Sequence, residues 1–241
     1  MRVFAHRGDT SSAPENTIGA FLAAIRAGAH GVELDVRRSA DGALVVHHDA
    51  TVPGMGPVSD LDVRDLPRSV ALLDEALTAL EPIAVNVEIK NEPTEPGFDP
   101  TGSISHDVVA LLEERGDLER VIVSSFDLAT LDAVRQANPS VATGWLLGYE
   151  VAPLAALSTA LEHGFGAIHP FVLALDATAV EAAHAAGLDV NTWTVNARHD
   201  LERMAAIGVD VVITDAVALA LDVARTTPTA RNGVSALPPL E

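Results

Sequence analysis

The chain has no cysteine. Disulfides, thiolate metal sites and cysteine nucleophiles are therefore excluded, and any metal or nucleophilic chemistry must come from oxygen and nitrogen groups. Basic residues are scarce, with 15 Lys and Arg against 34 Asp and Glu, for a formal charge of -19. Such a surface repels nucleic-acid backbones and anionic lipid headgroups, so neither nucleic acid nor stable membrane association is expected. An anionic substrate would need local compensation, from a few Arg or Lys side chains or from a bound cation. No window approaches the roughly 18 apolar residues of a membrane span. The amino terminus, MRVFAHRGDT, lacks the basic and apolar regions of a secretory signal. A cytoplasmic protein is the expectation.

What is present is a hydrophobic content of 48% in 241 residues. That is enough for one large core and matches the length of a single (β/α)8 barrel, roughly 250 residues. Short β-rich runs alternate with Ala- and Leu-rich helical runs throughout, a pattern that calls for a parallel sheet with crossover helices. Eight strands are expected: Arg2 to Ala5, Gly31 to Val36, Ile83 to Ile89, Arg120 to Ser124, Val141 to Leu147, Gly166 to His169, Leu188 to Trp193, and Asp210 to Ile213. Helical runs such as Pro14 to Ala27, Asp127 to Ala137 and Asp176 to Ala186 lie between them. Glycines in IRAGAHGVELDV, AHAAGLDVNTW and MAAIGVDVVIT suit left-handed helix ends before the next strand. Eight such units favour a closed TIM barrel, one α/β domain over residues 1–225, with 226–241 as a flexible tail.

One run departs from the parallel scheme. ALVVHHD, at 43–49, follows VELDVRR after only the turn SADG. A turn that short makes a hairpin, so residues 43–48 should form an antiparallel strand. With the turn centred on Ala40 and Asp41, Glu33 would face His48, and alternation would send His47 to the other side. The segment 51–67 that follows reads as a short loop insertion over one end of the barrel.

Catalytic groups of βα barrels gather at the C-terminal ends of the strands. His6 and Arg7 fall there after the first strand. Glu33 and Asp35 lie two apart on the second, hence on one side, while Val32, Leu34 and Val36 form its apolar face. Glu88 and Lys90 repeat that spacing on IAVNVEIK. Clustered carboxylates repel one another unless a positive charge lies among them, and a hard divalent cation, Mg²⁺ or Ca²⁺, takes such oxygen ligands. Lys90 suits a phosphate oxygen or the ionised form of Glu88. Trp193 ends a strand in a chain with only two Trp and is a candidate wall against an alcohol group. Taken singly, each has a structural alternative: a solvated loop for His6 and Arg7, a strand edge for Glu33 and Asp35, a salt bridge for Lys90, core packing for Trp193. His169 ends the sixth strand as a candidate structural histidine, and the SSAPENT stretch reads as an ordinary helix start.

Together, HRG at 6–8, PENT at 14–17, VELDV at 32–36, HHD at 47–49, VEIK at 87–90, SSF at 124–126, WTVN at 193–196 and ITD at 213–215 resemble the glycerophosphodiester phosphodiesterase family. The resemblance spans residues 2 to about 220, in order. It implies a TIM barrel that hydrolyses glycerophosphodiesters to glycerol 3-phosphate and an alcohol. It also implies catalytic roles for His6 and His48, metal ligation by Glu33, Asp35 and Glu88, and phosphate contacts from Arg7 and Lys90. Two departures bear on head-group preference: ATVPGMG stands where the family has an Asp-Arg-Thr-Thr-like stretch, and Ala216 follows ITD where a Pro is common. The expected partner is a small-molecule glycerophosphodiester, and the expected assembly a monomer or homodimer. Two rivals share the barrel: a phospholipase D-like lyase on lysophospholipids or sphingolipids, and a non-catalytic sensor of phosphate ligands.

Overall fold

The computed structural model describes residues 1–227. In chain order the elements are β1 (Arg2–His6), α1 (Ile18–Ala27), β2 (Gly31–Arg38), β3 (Leu44–Val46), β4 (Thr51–Val52), β5 (Gly56–Pro57), α2 (Leu73–Ala79) and β6 (Ala84–Ile89). They continue as α3 (Ser103–Arg115), β7 (Val121–Ser125), α4 (Leu128–Ala137), β8 (Ala142–Leu146), α5 (Pro153–His163) and β9 (Ala167–His169). The last are α6 (Ala177–Ala185), β10 (Asp189–Thr192), α7 (Arg198–Ile207), β11 (Val211–Thr214) and α8 (Val217–Thr226). Strands β1, β2 and β6 to β11 pair in parallel, and β1 meets both β11 and β2, so the sheet closes into the expected TIM barrel.

Alternation along each strand divides its side chains between two apolar regions. Val32, Leu34, Val36, Val85, Val87 and Ile89 point outward and pack under helix residues such as Phe21, Leu112 and Leu131. Phe4, Ala84, Ile122, Ala167, Val211 and Ile213 fill the bore. The filling explains why β2 starts on glycine, because a Cβ on Gly31 would come within 2.6 Å of the Phe4 ring. With the lower bore plugged, the inward residues nearer the C-terminal strand ends line an open mouth.

The hairpin forms, but in a register one residue from the expected one. Val36 pairs with Val46 and Arg38 with Leu44. The Ser39 N–H donates to the Ala43 carbonyl, leaving a three-residue loop with Gly42 at φ +84. A three-residue loop with a left-handed glycine shifts the pairing relative to a two-residue turn. The strand also stops at Val46 rather than 48, and the His47 N–H bonds the Asp35 carbonyl. His48 is therefore directed by the bend after the strand, not by pairing with Glu33.

The first helix is shorter than expected. Thr17 caps it by accepting the Ala20 N–H, so Pro14, Glu15 and Asn16 precede it, and Asn16 takes a left-handed conformation at φ +56. The 51–67 insertion holds the small β4–β5 pair and a satellite core of Val45, Val52, Val58 and Leu66. Helix α8 reaches Thr226, and the expected tail lies outside the described residues apart from its first two positions. No helix among the described residues is long and apolar enough to cross a membrane.

Candidate active site

Strands β2 and β6 run in register with Asp35 beside Glu88 and Glu33 beside Asn86. Their inward faces bring three buried carboxylates together at the mouth, with one oxygen each from Glu33, Asp35 and Glu88 within 4.8 Å of the others. Two permanent cations face these three carboxyl groups. Lys90 Nζ lies 2.5 Å from Glu88 Oε1 and 3.3 Å from Asp35 Oδ1, and Arg7 Nε lies 3.3 Å from Asp35 Oδ2. Arg7 also has a left-handed backbone, φ +56, which aims its N–H at the Glu33 side chain.

The balance is uneven. Burial and the neighbouring Asp35 charge push Glu33 up to about 8. Burial also raises Glu88, whereas Lys90 and Arg7 overcome burial at Asp35 and hold it below the usual carboxylate range. Glu33 Oε1 is buried and accepts no hydrogen bond. A buried carboxylate oxygen in that condition is costly unless a ligand reaches it. All the convergent donors are hard oxygens, and their spacing fits a divalent cation of the Mg²⁺ or Ca²⁺ type.

Two imidazoles border the group. His6 Nδ1 lies 2.7 Å from Asp215 Oδ1, which leaves Nε2 directed to the mouth, 4.0 Å from Glu33 Oε2. Asp215 is in turn fixed by Asn196, whose side chain donates to Oδ2 at 2.7 Å and accepts the Asp215 N–H at 2.9 Å. Burial alone would lower the His6 pKa, but the Asp215 bond and the Glu33 charge raise it above the ordinary histidine value. His48 is the opposite case, lowered by burial and by the charges of Lys90 and Arg7 despite Asp35. Its Nδ1 meets Asp49 at 2.7 Å, and its carbonyl accepts Arg37 Nε at 2.8 Å. Both histidines line one cavity of about 580 Å³, together with Arg7, Glu33, Glu88 and Lys90. His47 does not line it; its ring lies by the Thr51 carbonyl.

Trp193 stands just past β10 at the edge of the same cavity, its indole N–H bonded to the His169 carbonyl at 2.7 Å. A second hollow of about 470 Å³ lies between the hairpin and the 96–100 segment, but its arginines already pair with Glu95, Ser103 and Asp107.

Sequence reasoning brings the eight candidate residues to one place but misses their supports. Asn16, read as part of a helix start, clamps Asp35 from both sides: Nδ2 donates to Oδ2 at 2.7 Å, and Oδ1 accepts the Asp35 N–H at 3.3 Å. Asp215 had a findable signal, a carboxylate directly after the last barrel strand. Arg37 had one in its spacing, since it continues the inward series of Glu33 and Asp35. Asn86 shares the inward face with Glu88 and hydrogen-bonds Ser124.

A profile of the Glycerophosphoryl diester phosphodiesterase family matches residues 6–219. The chain is 34% identical to a glycerophosphodiester phosphodiesterase of Caldanaerobacter subterraneus, with 88% of this chain and 93% of that protein covered. It superposes on the crystal structure of glycerophosphodiester phosphodiesterase from Thermotoga maritima with a TM-score of 0.76 at 27% identity, covering 91% and 96% of the two chains. An Oleispira antarctica phosphodiesterase, solved with its product sn-glycerol-3-phosphate, shares the fold with a TM-score of 0.81 at 23% identity, covering 94% and 97%. From the histidine that ends the first strand to the helix that closes the barrel, the chain belongs to the glycerophosphoryl diester phosphodiesterase family of enzymes.

Proposed function

We propose that the protein hydrolyses small glycerophosphodiesters to glycerol 3-phosphate and an alcohol, with a divalent cation at Glu33, Asp35 and Glu88 and with His6 and His48 as the proton-transfer pair. The observation that carries this reading is the meeting, at one cavity, of Glu33 and Glu88 with Asp35 directly behind them, two cationic side chains and two imidazoles of opposite pKa displacement. The product named for the Oleispira antarctica phosphodiesterase supports the substrate class.

The chemistry follows from charge. A phosphodiester anion repels nucleophiles, so groups that spread its charge lower the barrier. Arg7 and Lys90 are the side chains available to its non-bridging oxygens. A cation bound to the three carboxylates would add the larger share of charge neutralisation at the phosphoryl group. One imidazole accepts the proton of the attacking hydroxyl, from water or from the substrate's own glycerol 2-hydroxyl, as the new P–O bond forms. The other donates a proton to the departing alkoxide as its P–O bond breaks. Asp215 fixes the His6 ring with Nε2 outward, the orientation such a transfer requires.

The water-soluble diester is favoured over a lysolipid because Val52, Val58 and Leu66 of the 51–67 insertion turn into their own core rather than toward solvent. A non-catalytic sensor would not need two imidazoles beside the carboxylates. Release of glycerol 3-phosphate from a panel of diesters, with chelator and with Mg²⁺ or Ca²⁺ restored, tests the reading. Turnover that requires added cation is expected. Turnover indifferent to chelator would remove the cation from the mechanism, and no turnover of any diester would leave the sensor.

A further inference from the structure

Below the mouth, the inward side chains of the barrel stack in layers contributed by alternate strands. Following the strand pairing around the barrel, with about one residue of stagger per strand, Asn86, Gly144, Asn191 and Phe4 fall in one layer. By the same registers Glu33, Ser124, His169 and Ile213 form the layer above it, next to the mouth. Strands β6 and β10 lie across the barrel from one another, so the Asn86 and Asn191 amides approach from opposite walls. Gly144 leaves room in their layer, and the His169 ring takes part of it: a Cβ on Gly144 would collide with His169 Nε2.

At 2%, 3% and 0% exposure, Asn86, Asn191 and His169 are closed to bulk solvent, so their polar atoms must be satisfied within the bore. Their amide donors are used. Asn86 Nδ2 donates to Ser124 Oγ at 3.0 Å, and Asn191 Nδ2 donates to His169 Nε2 at 2.9 Å. Burial keeps the imidazole neutral, and with Nε2 accepting, its proton lies on Nδ1. Three groups then meet no protein partner: Asn86 Oδ1, Asn191 Oδ1 and the His169 Nδ1–H. Turning the Asn191 amide over exchanges donor for acceptor on both residues and leaves as many groups unpaired. Water suits this set because it donates twice and accepts as well, making about three bonds, the number usual for a buried water. A cation of the Mg²⁺ or Ca²⁺ type would need about six oxygens or more and would face the N–H. An apolar occupant would leave every one of these groups unsatisfied.

We propose that the bore holds a buried water site between Asn86, Asn191 and His169, filled by a single water or a hydrogen-bonded pair. Asn86 pairs beside Glu33 and lines the floor of the mouth cavity, so the site lies directly beneath the carboxylate group and within reach of solvent from the mouth. The floor under Glu33 is thus part protein and part water. The site does not depend on the hydrolysis proposed above.

A high-resolution crystal structure of the whole protein in chelator reads the site directly. Solvent density about 2.7–3.2 Å from both Asn86 Oδ1 and Asn191 Oδ1, from one water or from two in contact, is expected. Protein donors on those oxygens, or a dry gap between them, overturns the site. Oxygen-17 magnetic relaxation dispersion checks it in solution, because the method counts waters held inside the protein. Asn86→Leu, close to asparagine in size but without the acceptor, should lower the parent's count by about one or two. An unchanged count in the folded variant overturns the site as well. Should the variant fail to fold, the crystal structure of the parent decides alone.

Discussion

Asp117, ahead of β7 at the N-terminal end of the barrel, and the Glu33–Asp35–Glu88 group at the other end are both carboxylate sites among basic side chains, but their buried oxygens are satisfied to different degrees. Asp117 lies between two guanidinium groups, one of which, Arg115, also meets the exposed carboxylates of Asp74 and Glu81. Its Oδ1 accepts Arg120 Nε and its Oδ2 accepts Arg115 Nε and Arg120 Nη2, each at 2.7 Å. Burial would raise its pKa, yet Arg120 and Arg115 hold it below the ordinary value. Arg120 is occupied further by the carbonyls of Ile83 and Leu77, so the cluster ties α2 and the start of β6 to β7. At the mouth, Arg7 and Lys90 pair with Asp35 and Glu88, and Glu33 Oε1 has no donor at all. Both oxygens of Asp117 have donors, whereas a buried oxygen at the mouth has none, which is the condition expected where a ligand completes the group.

The sharpest way to break this comparison is to remove one carboxylate from each end. Glu88→Gln should lower kcat/KM by about 10² or more, because it withdraws a ligand from the proposed cation. Asp117→Asn should leave turnover nearly intact while costing about 2–3 kcal/mol of stability, the loss expected when charge-assisted hydrogen bonds are weakened. Steady-state kinetics and urea denaturation on both proteins decide it. If Asp117→Asn abolished turnover in a folded protein, the division between the two clusters would fail.

The same contrast governs what could be seen in the amino-acid sequence. The barrel is legible because its strands are short apolar runs between helical stretches, and because period-two spacing puts Glu33 with Asp35 and Glu88 with Lys90 on inward faces whatever the exact strand ends. The site's supports are not, because they depend on backbone detail. Asn16 reaches Asp35 only through a left-handed conformation that no local pattern announces. His48 comes to the cavity by way of a bend after Val46, so the pairing argument that pointed to it used a register the hairpin does not have. A three-residue turn and a two-residue turn look alike in SADG until Gly42 takes its positive φ. Asp117 gave no sign of its importance, since an arginine three residues away is common in any solvated loop.

A smaller effect, of reversed sign, is expected at the mouth. Burial and the charge of Asp35 hold Glu33 up to about 8, so at neutral pH the cation-free protein must take up a proton there on folding, and Glu33→Gln removes that cost. In chelator the variant should be more stable than the parent by about 1–2 kcal/mol, even though its turnover is lost. Added Mg²⁺ or Ca²⁺ should raise the melting temperature of the parent more than that of the variant. A Glu33→Gln protein less stable than the parent in chelator would mean that Arg7 and Lys90 already satisfy the group.

His169 marks where the comparison needs refinement, because it too carries an unpartnered polar atom. Its ring fills the bore between Gly144 and Asn191, with Nε2 2.9 Å from the Asn191 side chain and Nδ1 unbonded. Burial alone lowers its pKa to about 3. The folded value is depressed below the unfolded one, near 6.5, so the unfolded chain takes up the proton first as pH falls. Stability tied to the neutral ring is complete above about 6.5 and is lost as pH drops toward 3, at up to about 1.4 kcal/mol per unit. Denaturant midpoints at pH 7.5 and pH 5 should therefore differ less for His169→Gln than for the parent. Equal differences would mean that the ring is not buried as a neutral group.

The smallest effect concerns how His48 is held. Because the pairing of β3 ends before it, the imidazole is positioned by two contacts from outside the hairpin ladder, its own bond to Asp49 and the grip of Arg37 on its carbonyl. Arg37 is buried and also bonds Glu95 at 2.8 Å, so one guanidinium fork joins the His48 bend to the segment after β6. Lysine keeps the charge but is a single point donor that cannot span both partners. Arg37→Lys should then lower kcat by about tenfold with little change in KM, the signature of a misplaced proton-transfer group rather than a lost binding contact. An unchanged kcat would show that Asp49 suffices, and that the mouth tolerates a looser His48 than its carboxylates do.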